Sequence, residues 1–258
     1  MDVDVSLSKV NVTYGDNVTV SVILNDTVIG GDVTVSIYDK DNNLLYSGTC
    51  DVVGNSFVVP SWIWGAGLYT CNVSYAGDVN HNSANKSFVF TVLKKNITGD
   101  VVMSVDPVII VVGDNTTFTI SLPTGVNGMV NVTVDGAVWL DNVPVSADMS
   151  FVRSILAKGE HVFVASFFSD NYVTVNKTFI VSVDCLPSII SVPEVALGDS
   201  VVILVLPDDA TGTVNVTING TPYNNLPVSE GKAIISGLSL TTGSYPVSVV
   251  YSGDTYFD

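Results

Sequence analysis

Residues 67–78 read GLYTCNVSYAGD, and the same frame returns at 159–170 as GEHVFVASFFSD and at 243–254 as GSYPVSVVYSGD. Taken by twos, the first gives Tyr69, Cys71, Val73 and Tyr75. The second gives His161, Phe163, Ala165 and Phe167, and the third gives Tyr245, Val247, Val249 and Tyr251. One face is apolar in all three, and much of the other is Thr, Asn and Ser. Alternation with a period of two marks a strand buried on one side. Three copies at a regular interval mark a repeat architecture.

Working outward, each copy is preceded by a Gly-Asp pair that opens another alternating run: Gly15-Asp16 before NVTVSVIL, Gly113-Asp114 before NTTFTISL, and Gly198-Asp199 before SVVILVL. A second run follows each: DVTVSI after Gly31, MVNVTV after Gly128, TVNVTI after Gly212. In the later copies that run ends in Asp135-Gly136 and Asn219-Gly220, dipeptides that favour a two-residue hairpin turn, whereas the first copy has the longer DKDNN. Short strands with frequent turn signals, and no helical periodicity, predict an all-β chain of three tandem Ig-like antiparallel β-sandwiches of roughly 75 to 95 residues each. The alternation lapses near LKKNITGD and VDCLPS. The expected units are therefore 1–95, 96–184 and 185–258. Pro107 and Pro193 lie shortly before their Gly-Asp pairs, where a first strand can bend between sheets. Linkers this short, without Gly/Ser runs, predict an extended rod.

Composition narrows the function. Acidic residues number 25 against nine basic ones, a net charge of −16, which repels nucleic acid and anionic lipid. The apolar runs are far shorter than the roughly 18 residues of a spanning helix, so direct membrane insertion is not expected. Residues 1–10, MDVDVSLSKV, carry no basic start, apolar stretch or small-residue cleavage site, so no secretory leader is expected within them.

The third copy carries GDSVVI, ATGTVNVTING, GSYPVSVVY and YSGDTY. On these motifs it resembles the bacterial and archaeal Ig-like repeats of the adhesin-like surface proteins of methanogenic archaea. The second copy follows the pattern less fully, with FFSDNY in the last position. The first departs most, with DKDNN and SWIWGAG. The resemblance implies a stalk or adhesive region of a large exported protein at the cell surface, whose partners are other surface proteins or glycans. It implies no catalytic residue. A carbohydrate-binding module and a filament subunit that exchanges strands with other copies are the alternatives.

Several residues remain as candidate sites. Asn-X-Ser/Thr occurs at Asn11, Asn17, Asn25, Asn72, Asn85, Asn96, Asn115, Asn131, Asn176, Asn215 and Asn219. Outward-facing strand residues written NVTV create such sequons automatically, so these are either N-glycosylation sites of an exported protein or plain strand composition. Cys71 falls on a core position, and Tyr69-Thr70-Cys71 matches the Tyr-x-Cys of antibody-type domains. It is either bridged to Cys50 or buried as a small apolar side chain, with Cys185 unpaired in both cases. No cofactor is expected, although Asp39, Asp41 and Asn43, or Asp78 and Asn80, offer oxygen ligands on turns where calcium could bind. Solvated turn residues are the competing reading. Trp62, Trp139 and Tyr223 are the candidates for stacking on a sugar, while Trp64 aligns with Leu156 and Leu240 and is expected in a core. No nucleophile elbow, phosphate loop or metal-spaced His cluster occurs, and the chain is expected not to be an enzyme. His161 takes the position of Tyr69 and Tyr245 and is expected to cap its sandwich.

The first two copies continue to a last strand, KSFVFTV from Lys86 and KTFIVSV from Lys177. The third stops after YSGDTYFD. The expectation is a third sandwich that lacks its final strand, with Asp258 at a boundary unless a partner supplies that strand.

Overall fold

The computed structural model describes the backbone of residues 3–7, 11–24, 31–51, 56–60, 64–154, 156–193 and 201–258, and side chains over 11–17, 31–49, 64–154, 156–193 and 206–258. Among the described residues there is no helix, and hence none long and apolar enough to cross a membrane. The chain is all-β.

Among the described residues six sheets form, two for each copy of the repeat. In the first copy β1 (Val3–Leu7), β3 (Asn17–Leu24) and β6 (Ser56–Pro60) make one sheet in the order β1-β3-β6. The other holds β2 (Asn11–Thr13), β4 (Asp32–Tyr38), β5 (Leu44–Asp51), β7 (Gly67–Tyr75) and β8 (Ala84–Leu93), in the order β2-β8-β7-β4-β5. The second copy repeats this plan. Its smaller sheet is β14-β11-β9, from β9 (Val102–Asp106), β11 (Thr116–Ser121) and β14 (Met149–Arg153). Its larger sheet is β10-β16-β15-β12-β13, from β10 (Ile109–Val111), β12 (Gly128–Val134), β13 (Ala137–Val145), β15 (Gly159–Phe168) and β16 (Val175–Asp184). In the third copy β17 (Ile189–Ser191), β18 (Val201–Leu206) and β21 (Lys232–Ile235) pair as β17-β18-β21. Beside them β19 (Thr213–Ile218), β20 (Thr221–Pro227) and β22 (Val247–Tyr251) pair as β20-β19-β22.

The alternation read from the sequence is the alternation of burial. Along β15 the inward residues Phe163, Ala165 and Phe167 are wholly buried, while Val164 between them is exposed and Ser166 half-buried. Among the described residues, buried side chains gather into three cores. The central one joins both sheets, with Phe118 and Ile120 of β11 facing Val130, Val132 and Phe163 of the larger sheet. Asp135-Gly136 and Asn219-Gly220 have positive φ at both positions (52° and 80°, 48° and 82°), the two-residue hairpin turn expected of them.

The strand pairing is antiparallel with two short exceptions. β2 pairs parallel to β8, and β10 pairs parallel to β16. In the second copy the chain crosses between sheets at Pro107: β9 lies in the smaller sheet and β10 in the larger one. Pro107 cannot donate to a ladder and so sits at the break. Having crossed without reversing, the short β10 lies alongside the last strand in the same direction.

The start of each central strand is tied back by a corner bond. Tyr69 Oη donates to the carbonyl of Gly65 (3.1 Å) and to that of Trp64 (2.5 Å), and Tyr245 Oη donates to Thr241 O (2.8 Å). In the middle copy His161 Nε2 reaches Ala157 O at 2.7 Å, so all three corners engage the carbonyl four residues upstream. His161 adds a second tie, its Nδ1 lying 2.7 Å from Asp135 Oδ2 while Asp135 Oδ1 accepts from Val162 N. Both ring nitrogens face acceptors, an arrangement satisfied only by the protonated ring. Burial pulls the His161 pKa down, but the Asp135 bond, the Ala157 carbonyl and the Asp135 charge reverse this, and the net shift is upward against a smaller opposing effect of Arg153. The resulting stability is fully present below about pH 6.5, the ordinary histidine value, and is lost as pH rises through the raised folded value. The unfolding midpoint of the middle copy is therefore expected to fall as pH rises above about 6.5. In His161→Tyr this part of the pH dependence disappears, as denaturation followed by Trp139 fluorescence would show.

Candidate functional site

Among the described residues the repeated constellation that joins one copy to the next is a loop and the chain segment it holds. After β15 the loop Ser169-Asp170-Asn171-Tyr172 turns back onto the strand leaving β8. Lys95 N donates to Asn171 O (2.9 Å) and Val173 N donates to Lys95 O (3.0 Å), forming a parallel bridge between Lys95 and Tyr172. The first copy contributes further contacts. Ala66 N donates to Asn171 Oδ1 (2.9 Å), and Lys94 Nζ donates to Ser169 O (2.7 Å). Tyr14 meets Tyr172 edge to face, with centroids 5.6 Å apart, and packs against both the first and the central core. Gly65, with φ +80°, is required here, because a Cβ would stand 2.7 Å from Asn171 Oδ1.

The next junction has the same plan. Leu186 N donates to Tyr256 O (2.7 Å), Asp258 N donates to Leu186 O (3.2 Å), and Leu186 and Phe257 form a parallel bridge. Asp254 shapes this loop. Its Oδ2 accepts from Thr211 N and Oγ1, and its Oδ1 accepts from Tyr256 N and Phe257 N, at 2.7 to 2.8 Å. Burial would raise the carboxyl, yet these donors hold it well below the usual carboxylate range. Beside it Tyr251 donates to Thr211 O at 2.6 Å, and burial foremost pushes its phenol up to about 12.

The carboxylates considered for calcium are engaged in their own turns. Asp39 Oδ1 accepts from Asp41 N and Asn43 N, and its Oδ2 accepts from Asn43 Nδ2. Those bonds, that to the Asn43 side chain first, lower its pKa. Asp41 pairs with Lys40 at 2.6 Å. Asp78 Oδ1 accepts from Asn80 N and lies 2.8 Å from His81 Nδ1. The two turns do not converge: Asp39 follows the end of β4 that pairs with Thr70, and Asp78 follows the end of β7 that pairs with Val33, about 20 Å away along the strands. Among the described residues no three His, Cys, Asp or Glu side chains group as metal ligands.

The proposed Cys50–Cys71 bridge does not form. Cys71 is a free, fully buried thiol whose pKa burial raises to about 11. On β4 it pairs with Ile37, whereas Cys50 pairs with Val33 from the opposite side. Their backbones stand roughly 15 Å apart, where a disulfide needs about 6 Å. Cys185 is also free and buried.

Trp62 and Asn25 lie outside the described residues. Trp139 is half-buried, edge-on to Phe163 (5.8 Å) with the Arg153 guanidinium 5.9 Å from its ring, and Tyr223 is half-buried against the third core. Trp64 packs against Tyr69 and Phe90 of the first core, as expected. Of the sequon asparagines, Asn11, Asn17, Asn85, Asn96, Asn115, Asn176, Asn215 and Asn219 are exposed, and Asn72 and Asn131 are half-buried. Asn96 Oδ1 accepts from Thr98 N and Oγ1, and Asn72 Oδ1 accepts from Ser87 Oγ. Asn131 and Asn215 have a structural task that sequence reading missed. Their Oδ1 atoms accept from the backbone N of Asn142 (2.5 Å) and Asn225 (2.8 Å), which have positive φ where the ladder register shifts. An Asn ten or eleven residues after the NVT of the second and third copies was the available signal. Tyr14, Ala66 and Asn171 were missed as well. Tyr14 alone carried a hint, standing where the other copies have Val112 and Leu197.

No protein-family model and no curated protein matches the chain. Among solved structures, the chain is similar to a tetra-tandem repeat in the extending region of a large adhesion protein, at 22% identity and TM-score 0.48, over 98% of this chain and 70% of that one. It is similar to the fibronectin(III)-like modules of Clostridium thermocellum CbhA, at 15% identity and TM-score 0.28, over 70% of this chain and 94% of that one. It is also similar to the BSP domain of a biofilm associated protein, at 15% identity and TM-score 0.27, over 71% and 30% of the two chains. Each score is below 0.5, so the functional reading rests on this chain's own geometry.

Removing the Asn171 amide tests the junction. Asn171→Ala is expected to shift the unfolding midpoints of the copies by less than the equivalent of about 1 kcal/mol, because one partly exposed bond is lost. The distribution of distances between spin labels on Leu44 and Val138, both exposed, is expected to broaden in the same variant.

Proposed function

We infer that the chain is a non-enzymatic segment of an adhesin-like cell-surface protein, with units 1–95, 96–184 and 185–258 stacked as a stalk that presents an attachment surface to other surface proteins or glycans. The observation that carries this reading is the repeated junction. The same loop position, Asn171 to Val173 in one copy and Tyr256 to Asp258 in the next, holds the incoming chain by paired backbone bonds. A ligand-binding domain needs one site, whereas a spacer needs each unit joined to its neighbour in the same way. The excess of acid over base keeps such a stalk soluble and unattached to anionic surfaces. The resemblance of the third copy to Ig-like repeats of archaeal surface proteins supports a location outside the cell, where the exposed sequon asparagines would carry glycans.

Solution scattering tests the stalk. Three units, each about one ten-residue strand (~35 Å) long, give a rod about 110 Å long with a radius of gyration near 30 Å, whereas a globule of this size has about 18 Å. A value near the latter removes the stalk reading. Glycan-array binding that is lost in Trp139→Ala or Tyr223→Ala, with the fold intact, would replace it with a carbohydrate-binding module.

A further inference from the structure

One cross-strand row, at the start of β4, β12 and β19, differs in chemistry among the copies. In the first it runs Asp51, Asp32, Ala76, with Asp51 facing Asp32 and Ala76 N donating to Asp32 O. In the third it runs Pro227, Thr213, Ser252, with Ser252 N donating to Thr213 O. In the middle copy the row is Pro144, Met129, Phe168 and is apolar throughout. Together with Met149 at the start of β14, these side chains line an open pocket of about 660 Å³ at one end of the middle sandwich. That volume lies in the range that holds a drug-sized ligand.

The loop beyond this row differs as well. In the first and third copies Gly77 and Gly253 take positive φ (89° and 74°), and the next residue folds back on its own loop: Asp78 Oδ1 accepts from Asn80 N, and Asp254 Oδ1 accepts from Tyr256 N. In the middle copy Ser169 stands in place of those glycines and does not take the positive φ, which costs a residue with a Cβ. The turn therefore does not close around the residue that follows. Asp170 is exposed, lines the pocket, and makes no hydrogen bond or ion pair among the described residues. Lys94 Nζ donates to Ser169 O and not to this carboxylate. The middle copy alone thus sets an apolar floor beside a negative charge that its own loop does not use.

We propose that this pocket binds an arginine side chain, with an apolar residue next to it, from a different protein. The guanidinium meets the Asp170 carboxylate, which can accept two parallel hydrogen bonds from it, a geometry that lysine does not offer. The arginine stem and the apolar neighbour cover Met129, Met149 and Phe168, whose ring and thioethers suit a polarisable cation. Charge decides the class of partner: neutral and acidic glycans have no group to answer Asp170, and a chain of net charge −16 draws a basic surface toward it. A second copy of these residues does not supply the group. Arg153 is the one arginine in the sequence, and its guanidinium lies 5.9 Å from the Trp139 ring of its own sandwich. The site sits within one copy and holds however the units stack.

The test follows the methyl NMR signals of isotope-labelled methionine in the 258-residue chain, since Met129 and Met149 line the pocket while Met103 is buried in the central core. The peptide acetyl-Gly-Arg-Leu-Gly-amide is expected to move the Met129 and Met149 signals saturably, with a Kd on the order of 1 mM or tighter, and to leave Met103 in place. The same peptide with citrulline for arginine, neutral and of similar shape, is expected to bind at least ~tenfold more weakly. Asp170→Asn is expected to weaken the arginine peptide by at least ~tenfold as well, with an unchanged Met103 signal showing that the fold is kept. The proposal is overturned if the two signals stay fixed up to ~10 mM peptide, or if citrulline or Asp170→Asn leaves the affinity unchanged. It is overturned equally if a neutral oligosaccharide moves the signals and the peptide does not, or if protein concentration alone moves them, which would make the occupant a glycan or a second copy. Scattering from a compact chain would remove the stalk and leave this site standing.

Discussion

In the first two copies the structure depends on burying one strand between two sheet neighbours. β15 shows the constraint in full: its backbone is paired on both edges, by β12 and β16, and Phe163, Ala165 and Phe167 point into the core. A strand so placed has no unpaired backbone in the interior, and its alternate side chains reach both sheets. The corner bond at its start sets where the strand enters, because Tyr69, His161 and Tyr245 each reach back four residues to a carbonyl. The hairpins and the smaller sheets are arranged around that row.

At the far end of the same strand the loop that leaves the sandwich also holds the chain that enters it. Asn171 serves both units, with its main chain on Lys95 and its amide on Ala66. Asp254 does related work by ordering its own loop, which then pairs with Leu186. The units are thus joined mainly by backbone bonds, with Tyr14 against Tyr172 as the apolar contribution. Mobile glycine-rich linkers would give no such coupling.

Much of the fold was legible because its signals are local. Period-two alternation identified the buried rows, positive-φ dipeptides identified the hairpins, and the position of His161 within the repeat anticipated its capping bond. The candidate sites were less legible. Cys50 and Cys71 are close in sequence and occupy one sheet, yet strand register sets them on opposite sides of β4 and four residues apart along it. Asp39 and Asp78 look like free oxygen ligands until their turns close around them. The parallel pairing of β2 and β10 depends on a crossing between sheets that alternation does not report.

By itself the sequence determined the class of fold, the number of copies and the inward face of each strand, because all three follow from side-chain periodicity and turn residues within short windows. The tertiary structure alone decided which distant groups meet: Tyr14 with Tyr172, Asn171 with Ala66, and His161 with Asp135. Those contacts depend on sheet register and on the angle between units. Both are set by packing over the whole sandwich, and so they leave no trace in the local pattern of residues.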